Sequence, residues 1–336
     1  MHLEYHQATL SLRHAFTISR STRSTQPALV VSLSDGVHTG YGEATANTYY
    51  QVTMEGMIAS LEQHRALIEN GPDTPEAYWQ HLLPAFGAQR FLFCALDQAM
   101  QDLCAKQKGL PLYEAWGLDP SKGPMTTYTI GIDTVDNMVA KMLEFPWPLY
   151  KVKLGTDRDL QIMEALRKNT EAAFTVDANC GWTPGQTLDY AAALKDMGVL
   201  FIEQPLPADQ IAAMPAIREQ CPLPLIADES CRTEADVDHC AGAFHGINIK
   251  LMKCGGPTPA LRMIQRAREL DLSIMVGCMT ESSIGIASAA HLLPLVDYAD
   301  LDGPLLLKDD LAEGLLYRDG YIHLPDGPGI GLHIHL

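Results

Sequence analysis

Five charged residues recur at similar intervals in the middle of the chain: Lys153, Asp177, Glu203, Asp228 and Lys250. Each one ends a short apolar run. If the three acids converge, their charges repel one another strongly, so a cation is expected among them. A few oxygen ligands with open coordination positions favour Mg²⁺ over Ca²⁺. The pattern predicts a Mg²⁺ site, with buried ion pairs between acids and lysines as the structural alternative.

The two lysines of this series could carry proton transfer. Neutralising a lysine at pH 7 costs about 4–5 kcal/mol, because its reference pKa is near 10.4. A metal ion and the neighbouring cation Lys151 would lower the pKa of Lys153. Lysines on opposite sides of a bound substrate suit removal of a proton from one face and its return to the other. The alternative is that Lys153 and Lys250 are counter-ions of the carboxylates.

The elements that must position these residues follow a repeating strand–helix rhythm, in which short apolar runs alternate with longer amphipathic ones. Continuous apolar strands are typical of parallel sheets buried on both faces. Charges at the C-terminal strand ends are typical of the active site of a (β/α)8 barrel. We therefore predict an α/β protein with a TIM-type (β/α)7-8 barrel. The predicted strands are 126–130, 149–154, 174–179, 200–205, 225–230, 247–251, 272–278 and 298–303, and the predicted helices include 188–197, 260–270 and 284–293.

The N-terminal third has a different rhythm, with strands first and helices afterwards. Asp35-Gly36 is a hairpin signal, and Gly109 is a C-cap signal for the helix before it. This order predicts an α+β capping domain over residues 1–120, followed by the barrel over 121–310. The segment 311–336 is rich in Gly and Pro and is expected to pack back on the capping domain. The capping-domain elements are predicted at 3–13, 28–33, 41–44, 52–70 and 88–108.

A polar segment near 18–25 separates the first two predicted strands. It carries Arg20 and Arg23 and shows no apolar periodicity. One interpretation is a solvated loop. The other is a mobile lid that brings an arginine to a carboxylate.

Composition narrows the function classes. The 336 residues carry a net charge of −17, which argues against a nucleic-acid or anionic-membrane surface. Eight cysteines form no CxxC pair, which favours a reducing cytoplasm over a disulfide framework or a zinc site. The N-terminus has no signal-peptide pattern, and no uncharged apolar run reaches the ~18 residues that a transmembrane helix needs.

Several linked motifs carry a resemblance to a known family. They are Lys-x-Lys at 151–153, Asp-x-Asn at 177–179, Glu-Gln-Pro at 203–205, Ala-Asp-Glu-Ser at 227–230 and Asn-Ile-Lys-Leu-x-Lys-x-Gly-Gly at 248–256. In this order and spacing they resemble the muconate-lactonizing subgroup of the enolase superfamily. That superfamily is an established case of a Lys or His base acting with Mg²⁺ that stabilises an enediolate. The resemblance implies that Asp177, Glu203 and Asp228 bind Mg²⁺ and that Lys153 and Lys250 are the acid/base pair.

Within the subgroup the chain is most similar to dipeptide epimerases of the L-Ala-D/L-Glu type. The motif Asp300-Leu301-Asp302 resembles the Asp-x-Asp that holds the free ammonium of the dipeptide in those enzymes, and two anions suit one ammonium. The resemblance implies epimerisation at the α-carbon of the C-terminal residue by two-base proton transfer through an enediolate. It further implies that Lys151 helps to bind the substrate carboxylate and that Arg23 holds a Glu side chain. The remaining implied substrate contacts are Thr129, Cys278 and Thr280.

Two other functions stay open. A muconate cycloisomerase or an o-succinylbenzoate synthase would share the bases and the metal, although its substrate has no ammonium for Asp300 and Asp302. A non-catalytic barrel would act as a binding protein. Ring-like assemblies are common in the superfamily, so a homo-oligomer is also open. The segment 253–256 lacks the frame of a phosphate-binding loop and is predicted to be a turn between a strand and a helix.

Overall fold

The capping domain is built on a three-stranded antiparallel sheet of order β1-β2-β3. The computed structural model describes residues 1–19 and 21–336. The predicted hairpin at Asp35-Gly36 is confirmed: Asp35 Oδ1 accepts the N–H groups of Val37 and His38, at 2.8 and 2.7 Å, and Gly36 has φ 90°. The strands are β1 (His2–Ile18), β2 (Ser21–Ser34) and β3 (Thr39–Thr45), and the helices are α1 (Met54–Glu69), α2 (Pro75–Phe86), α3 (Arg90–Lys108) and α4 (Leu112–Ala115).

Helix α3 is the buried centre of the capping domain. It ends at Gly109, which adopts φ 66° as the predicted C-cap. Strand β3 packs so closely against α3 that only glycine fits at positions 40 and 42. A Cβ atom on Gly40 or Gly42 would collide with the α3 backbone. The sequence predictions placed no helix at α2. Pro75 opens this helix, where proline is well tolerated, but Pro84 inside it interrupts the usual helical pattern.

The segment 18–25 differs from its prediction as a loop. Residues 21–25 belong to β2, and β1 and β2 pair up to Ile18↔Ser21, with a register shift between Ser11 and Phe16. The strand residues here are polar or β-branched, so no apolar alternation revealed them. We call residues 16–19 and 21–23 the hairpin tip. Arg20 lies outside the described residues.

Eight parallel strands form the second sheet in sequential order, β4 to β11. A bridge between Thr126 and Ala299 closes this sheet into a barrel, and the Thr127 N–H donates to Ala299 O at 3.2 Å. The predicted barrel is confirmed. Its strands are β4 (Tyr128–Ile130), β5 (Leu149–Lys153), β6 (Ala173–Asp177), β7 (Val199–Glu203), β8 (Leu225–Ala227), β9 (Gly246–Lys250), β10 (Ser273–Gly277) and β11 (Tyr298–Asp300).

Helices follow the first seven barrel strands, whereas a 3₁₀ turn, Gly303–Leu306, follows β11. The architecture is therefore (β/α)7β, within the predicted range. No helix in the described part of the chain has the length and apolar character needed to cross a bilayer. The barrel helices are α5 (Val135–Glu144), α6 (Asp159–Arg167), α7 (Pro184–Asp196), α8 (Met214–Gln220), α9 (Glu234–Cys240), α10 (Leu251–Cys254), α11 (Pro257–Glu269) and α12 (Ser283–Ala290), with further 3₁₀ turns at Ala208–Ala213 and Leu293–Leu295.

Two buried carboxyl groups of the capping domain cap barrel helices. Glu43 on β3 accepts the Gly285 N–H at the start of α12, at 3.0 Å. Asp97 on α3 accepts the N–H and hydroxyl of Thr258 at the start of α11, both at 2.7 Å. These helix ends would otherwise carry unpaired N–H groups. Burial raises the pKa of both Glu43 and Asp97 to about 7.

The C-terminal segment contacts both parts of the chain. Ala312 and Ile330 belong to an apolar cluster with Val30 and Leu112 of the capping domain. The Tyr317 hydroxyl donates to Leu301 O of the barrel at 2.8 Å. The strands of this segment are β12 (Ala312–Glu313), β13 (Leu316–Arg318), β14 (Tyr321–His323) and β15 (His333–Ile334), paired as β12–β15 and β13–β14.

Candidate active site

Three carboxylates meet at the C-terminal mouth of the barrel. Asp177 and Glu203 end β6 and β7, and Asp228 directly follows β8. One oxygen of each lies within 4.8 Å of the others, and all three residues are buried. An oxygen-only donor set held this closely fits a hard divalent cation. We call these residues the acid triad.

Lys153 and Lys250 each bind one member of the triad. Lys153 Nζ donates to Asp177 Oδ2 at 2.7 Å, and Lys250 Nζ donates to Asp228 Oδ2 at 2.8 Å. Burial acts to lower the pKa of Lys250, but the Asp228 carboxylate outweighs it and raises the pKa. The predicted pair therefore lies at the triad, with a separate carboxylate for each lysine.

Lys151 lies beneath the cavity, fully buried. Its Nζ is 2.6 Å from Glu203 Oε2, 2.7 Å from Asp300 Oδ2 and 3.3 Å from Asp177 Oδ2. Burial acts to lower the pKa of Lys151, but these carboxylates, Asp300 foremost, raise it well above the usual range. Lys151 thus links the triad to the Asp-x-Asp motif.

The surroundings shift the pKa values of the three acids of the triad in different directions. Burial acts to raise every pKa, yet Lys153 and Lys151 hold that of Asp177 below its usual range. Lys250 and Lys253 hold that of Asp228 well below. Burial and the Asp177 charge raise the pKa of Glu203 to about 7. The cluster therefore keeps at least two anions available for a cation.

Asp300 and Asp302 lie side by side at the end of β11. Asp300 Oδ1 accepts the Thr127 hydroxyl at 2.5 Å, and Asp302 Oδ2 accepts the Thr129 N–H at 2.6 Å. Burial acts to raise the pKa of Asp300, but Lys151 lowers it to about 2. Burial and the Asp300 charge raise the pKa of Asp302 to about 7. The two carboxyls are thus not equivalent, since Asp300 already has a cationic partner.

A cavity of about 280 Å³ opens above these residues. Lys151, Asp177 and Glu203 lie under its floor and are not among its lining residues. The predicted site residues that line it are Arg23, Thr129, Lys153, Asp228, Lys250, Cys278, Thr280, Asp300 and Asp302.

The capping domain supplies the roof of this cavity. Phe16, Ile18 and Ser21 come from the hairpin tip, and Tyr49 and Tyr50 from the turn after β3. Sequence analysis did not name these five residues as site residues, although Ile18 and Ser21 belong to the segment 18–25 that was interpreted as a loop or a lid. The one earlier candidate in this roof is the hairpin arginine.

Arg23 is half-buried in the wall of the cavity. Its Nη1 donates to Gln26 Oε1 at 2.5 Å on the same strand. At the end of the hairpin tip, the Ser19 hydroxyl donates to Asn179 O at 3.2 Å and joins the tip to the loop after β6. The hairpin tip therefore rests on the barrel mouth with Arg23 facing the cavity.

Three residues that support the triad were missed as candidates: Gln204, Asn248 and Lys253. Gln204 Oε1 accepts the N–H groups of Asp228 and Ser230, at 2.9 and 3.0 Å. All three lie inside the motifs quoted above, so the signal was present. Their partners come from other strands, and local spacing does not show them.

Comparison with known proteins agrees with this geometry. Residues 4–117 match the family described as the N-terminal domain of mandelate racemase / muconate lactonizing enzyme, and residues 134–335 match the enolase C-terminal domain-like family. An L-Ala-D/L-amino acid epimerase of a Maribacter species is 49% identical over 336 residues, 100% of each chain. One of Flavobacterium johnsoniae is 47% identical over 333 residues, 99% of each chain.

A solved structure extends the comparison to the fold. The dipeptide epimerase of Cytophaga hutchinsonii, complexed with Mg and the dipeptide D-Ala-L-Val, superposes with a TM-score of 0.92 at 26% identity and covers 99% of this chain and 95% of its own. The chain therefore belongs to the mandelate racemase/muconate lactonizing enzyme family of the enolase superfamily and groups with its dipeptide epimerases, which confirms the resemblance predicted from its motifs.

Proposed function

We propose that this isomerase inverts the α-carbon of the C-terminal residue in dipeptides of the L-Ala-D/L-Glu type. One observation carries the proposal: Lys153 and Lys250 line one cavity from strands that stand opposite each other in the eight-stranded barrel. A base on one side of the α-carbon can remove its proton, and an acid on the opposite side can then donate a proton to the other face.

The acid triad would hold Mg²⁺. When bound, the ion polarises the substrate carboxylate and lowers the pKa values of the nearby lysines by its charge. The chain itself then moves the proton. One lysine, as the free amine, takes the α-proton; the C–H electron pair passes into the carboxylate to give an enediolate; and the opposite ammonium donates a proton to the other face.

The proposed substrate contacts follow from the cavity wall. Asp300 and Asp302 would receive the ammonium of the dipeptide. Asp302 forms no direct ion pair among the described residues, whereas Asp300 pairs with Lys151. Arg23 would hold an acidic side chain at the second position. Thr129, Cys278 and Thr280 line the same cavity and would contact the backbone of the dipeptide. Lys151, below the floor, would add positive charge near the substrate carboxylate.

Proton exchange tests the proposal directly. L-Ala-L-Glu is incubated with the protein and Mg²⁺ in D₂O, and the α-proton of Glu is followed by NMR. We expect loss of that signal together with formation of L-Ala-D-Glu. If no dipeptide in a broad library exchanges its α-proton, the proposed activity is wrong.

Two rival functions predict different results in this experiment. A cycloisomerase or o-succinylbenzoate synthase would leave dipeptides unchanged, and Asp300 and Asp302 would have no ammonium to bind. A non-catalytic barrel would exchange no substrate at all.

We also propose a cytoplasmic location, supported by eight free thiols.

A further inference from the structure

Lys253 does not line the cavity, and its ammonium group is held by hydrogen bonds within the protein. It is 2% exposed. Its Nζ donates to Asp228 Oδ1 and Asp228 O, both at 2.6 Å, to Cys231 O at 2.8 Å and to Asn248 O at 3.0 Å. All these acceptors are groups of the protein, and one of them is the Asp228 oxygen that Lys250 does not bind.

Asn248 acts in the same way on the neighbouring acid. It is fully buried, and its Nδ2 donates to Glu203 Oε1 at 2.7 Å. A Cβ atom on Gly277 would lie 2.6 Å from Asn248 Oδ1. The glycine therefore makes the room in which the amide sits. The Lys253–Asn248 O bond joins the two supports into one unit at the end of β9.

We propose that Lys253 and Asn248 are positioning residues that hold Asp228 and Glu203 in the cation-binding arrangement. Mutually repelling carboxylates separate unless other groups fix them. A residue that hydrogen-bonds to a metal ligand holds that ligand in its binding orientation before the ion binds. Because Asn248 and Lys253 flank Lys250 in β9 and α10, one short segment carries a base and the supports of two ligands. This inference rests on the proposed function in so far as the ion is Mg²⁺.

Whether Lys253→Met strengthens or weakens Mg²⁺ binding shows if Lys253 acts through its charge or by positioning Asp228. Lys253→Met removes a buried positive charge beside the triad. If charge alone mattered, a cation would bind more tightly. If positioning matters more, Mg²⁺ binds about 10- to 100-fold more weakly, the usual cost of losing such a partner. Asn248→Leu keeps a similar shape, changes no charge and is expected to weaken binding in the same range.

The test measures Mg²⁺ binding by calorimetry on the full chain without substrate. Lys106→Met serves as a matched control, because Lys106 Nζ also pairs with a buried carboxylate, Asp102, at 2.8 Å, but in the capping domain. We expect weaker Mg²⁺ binding in Lys253→Met and Asn248→Leu and unchanged binding in the control. Raising Mg²⁺ should also restore epimerisation in both variants, which a general loss of fold would not allow.

Unchanged or tighter Mg²⁺ binding in Lys253→Met would overturn the positioning role of Lys253, even if the variant were inactive. If Lys253→Met does not fold, Asn248→Leu decides by the same measurement. Wild-type protein that binds Mg²⁺ while both variants bind it equally well contradicts this inference alone. Wild-type protein that binds no Mg²⁺ contradicts the proposed function and this inference with it.

Discussion

Lys153 and Lys250 stand on β5 and β9, four strands apart in the eight-stranded barrel, and so face each other across its mouth. Each binds a different carboxylate: Asp177 at 2.7 Å and Asp228 at 2.8 Å. The two ammonium groups are thus fixed independently. Loss of one leaves the other in place.

The first prediction concerns these lysines. Lys153→Ala and Lys250→Ala should each lower epimerisation by about 10²–10⁴-fold, the usual contribution of a general acid or base. Each variant should still exchange the α-proton of the one stereoisomer that faces its remaining lysine. NMR in D₂O on L-Ala-L-Glu and L-Ala-D-Glu measures both effects.

Lys141→Ala is the control for this experiment, because Lys141 pairs with Asp133 at 3.0 Å away from the triad. It should keep full activity. Two lysine variants that epimerise at the wild-type rate would exclude the two-base mechanism.

The second prediction concerns the metal. Chelation should lower the rate by about a hundredfold or more, since a metal supplies several kcal/mol to the transition state. Added Mg²⁺ should restore it. Asp177→Asn should require more Mg²⁺ for the same rate. Full activity after exhaustive chelation would show that the triad needs no ion.

The third prediction concerns recognition of the ammonium. Asp302→Asn keeps an acceptor for the Thr129 N–H but loses the charge. A hydrogen bond to a charged group is worth about 1.5–3 kcal/mol, so kcat/KM for L-Ala-L-Glu should fall about 10- to 100-fold. N-acetyl-L-Ala-L-Glu, which has no ammonium, should lose little further activity. Equal losses of kcat/KM for both substrates would show that Asp302 does not bind the ammonium.

The fourth prediction concerns selectivity. Arg23→Met should lower kcat/KM for L-Ala-L-Glu about 10- to 100-fold, through the loss of one charge-assisted contact. It should change that for L-Ala-L-Met little. The ratio of the two substrates is the measurement. An unchanged ratio would assign Arg23 to the hairpin structure alone, through its bond to Gln26.

The fifth prediction is a pH dependence of stability. Burial raises the pKa of Glu43 from 4.5 to about 7, so the folded state binds this proton more tightly than the unfolded state. The resulting stability is complete below pH 4.5 and is lost as pH rises through 7. At about 1.4 kcal/mol per unit of pKa, the loss is roughly 3 kcal/mol.

Thermal unfolding of the wild type and Glu43→Gln from pH 4 to 9 checks this prediction. The difference between the two proteins should shift in favour of Glu43→Gln as pH rises, and the exposed control Glu55→Gln should show no such trend. A wild type that gains stability relative to Glu43→Gln above pH 7 would reverse the assignment.

The residues of the triad could be predicted because each is a charge at the end of an apolar run, a signal contained within a few residues. The pairing of Lys151 with Asp300 could not, because these residues are 149 positions apart and meet only through barrel closure. Lys151 was predicted to lower the pKa of Lys153. The structure adds that its charge is shared among three carboxylates.

Three further features could not be predicted from the local sequence: the strand at residues 21–25, helix α2 and the contacts of Lys253. Residues 21–25 are rich in Thr and Ser, which suit a loop as well as a strand. The pairing of Ser21 with Ile18 and of Arg23 with Phe16 makes this segment part of β2. Helix α2 was hidden by Pro84. Lys253 was predicted to lie in a turn, and no pattern along the chain shows that its ammonium reaches Asp228 and Cys231.

The bridge between Thr126 and Ala299 has a consequence for biosynthesis. Charged residues of β5 through β11 lie at or below the cavity, and β11 is the last barrel strand to leave the ribosome. A nascent chain that has formed the first seven barrel strands, β4 to β10, holds both lysines and the triad but lacks Asp300, the counter-ion of Lys151. Epimerase activity should therefore require a complete barrel. An N-terminal fragment that ends before β11 should be inactive.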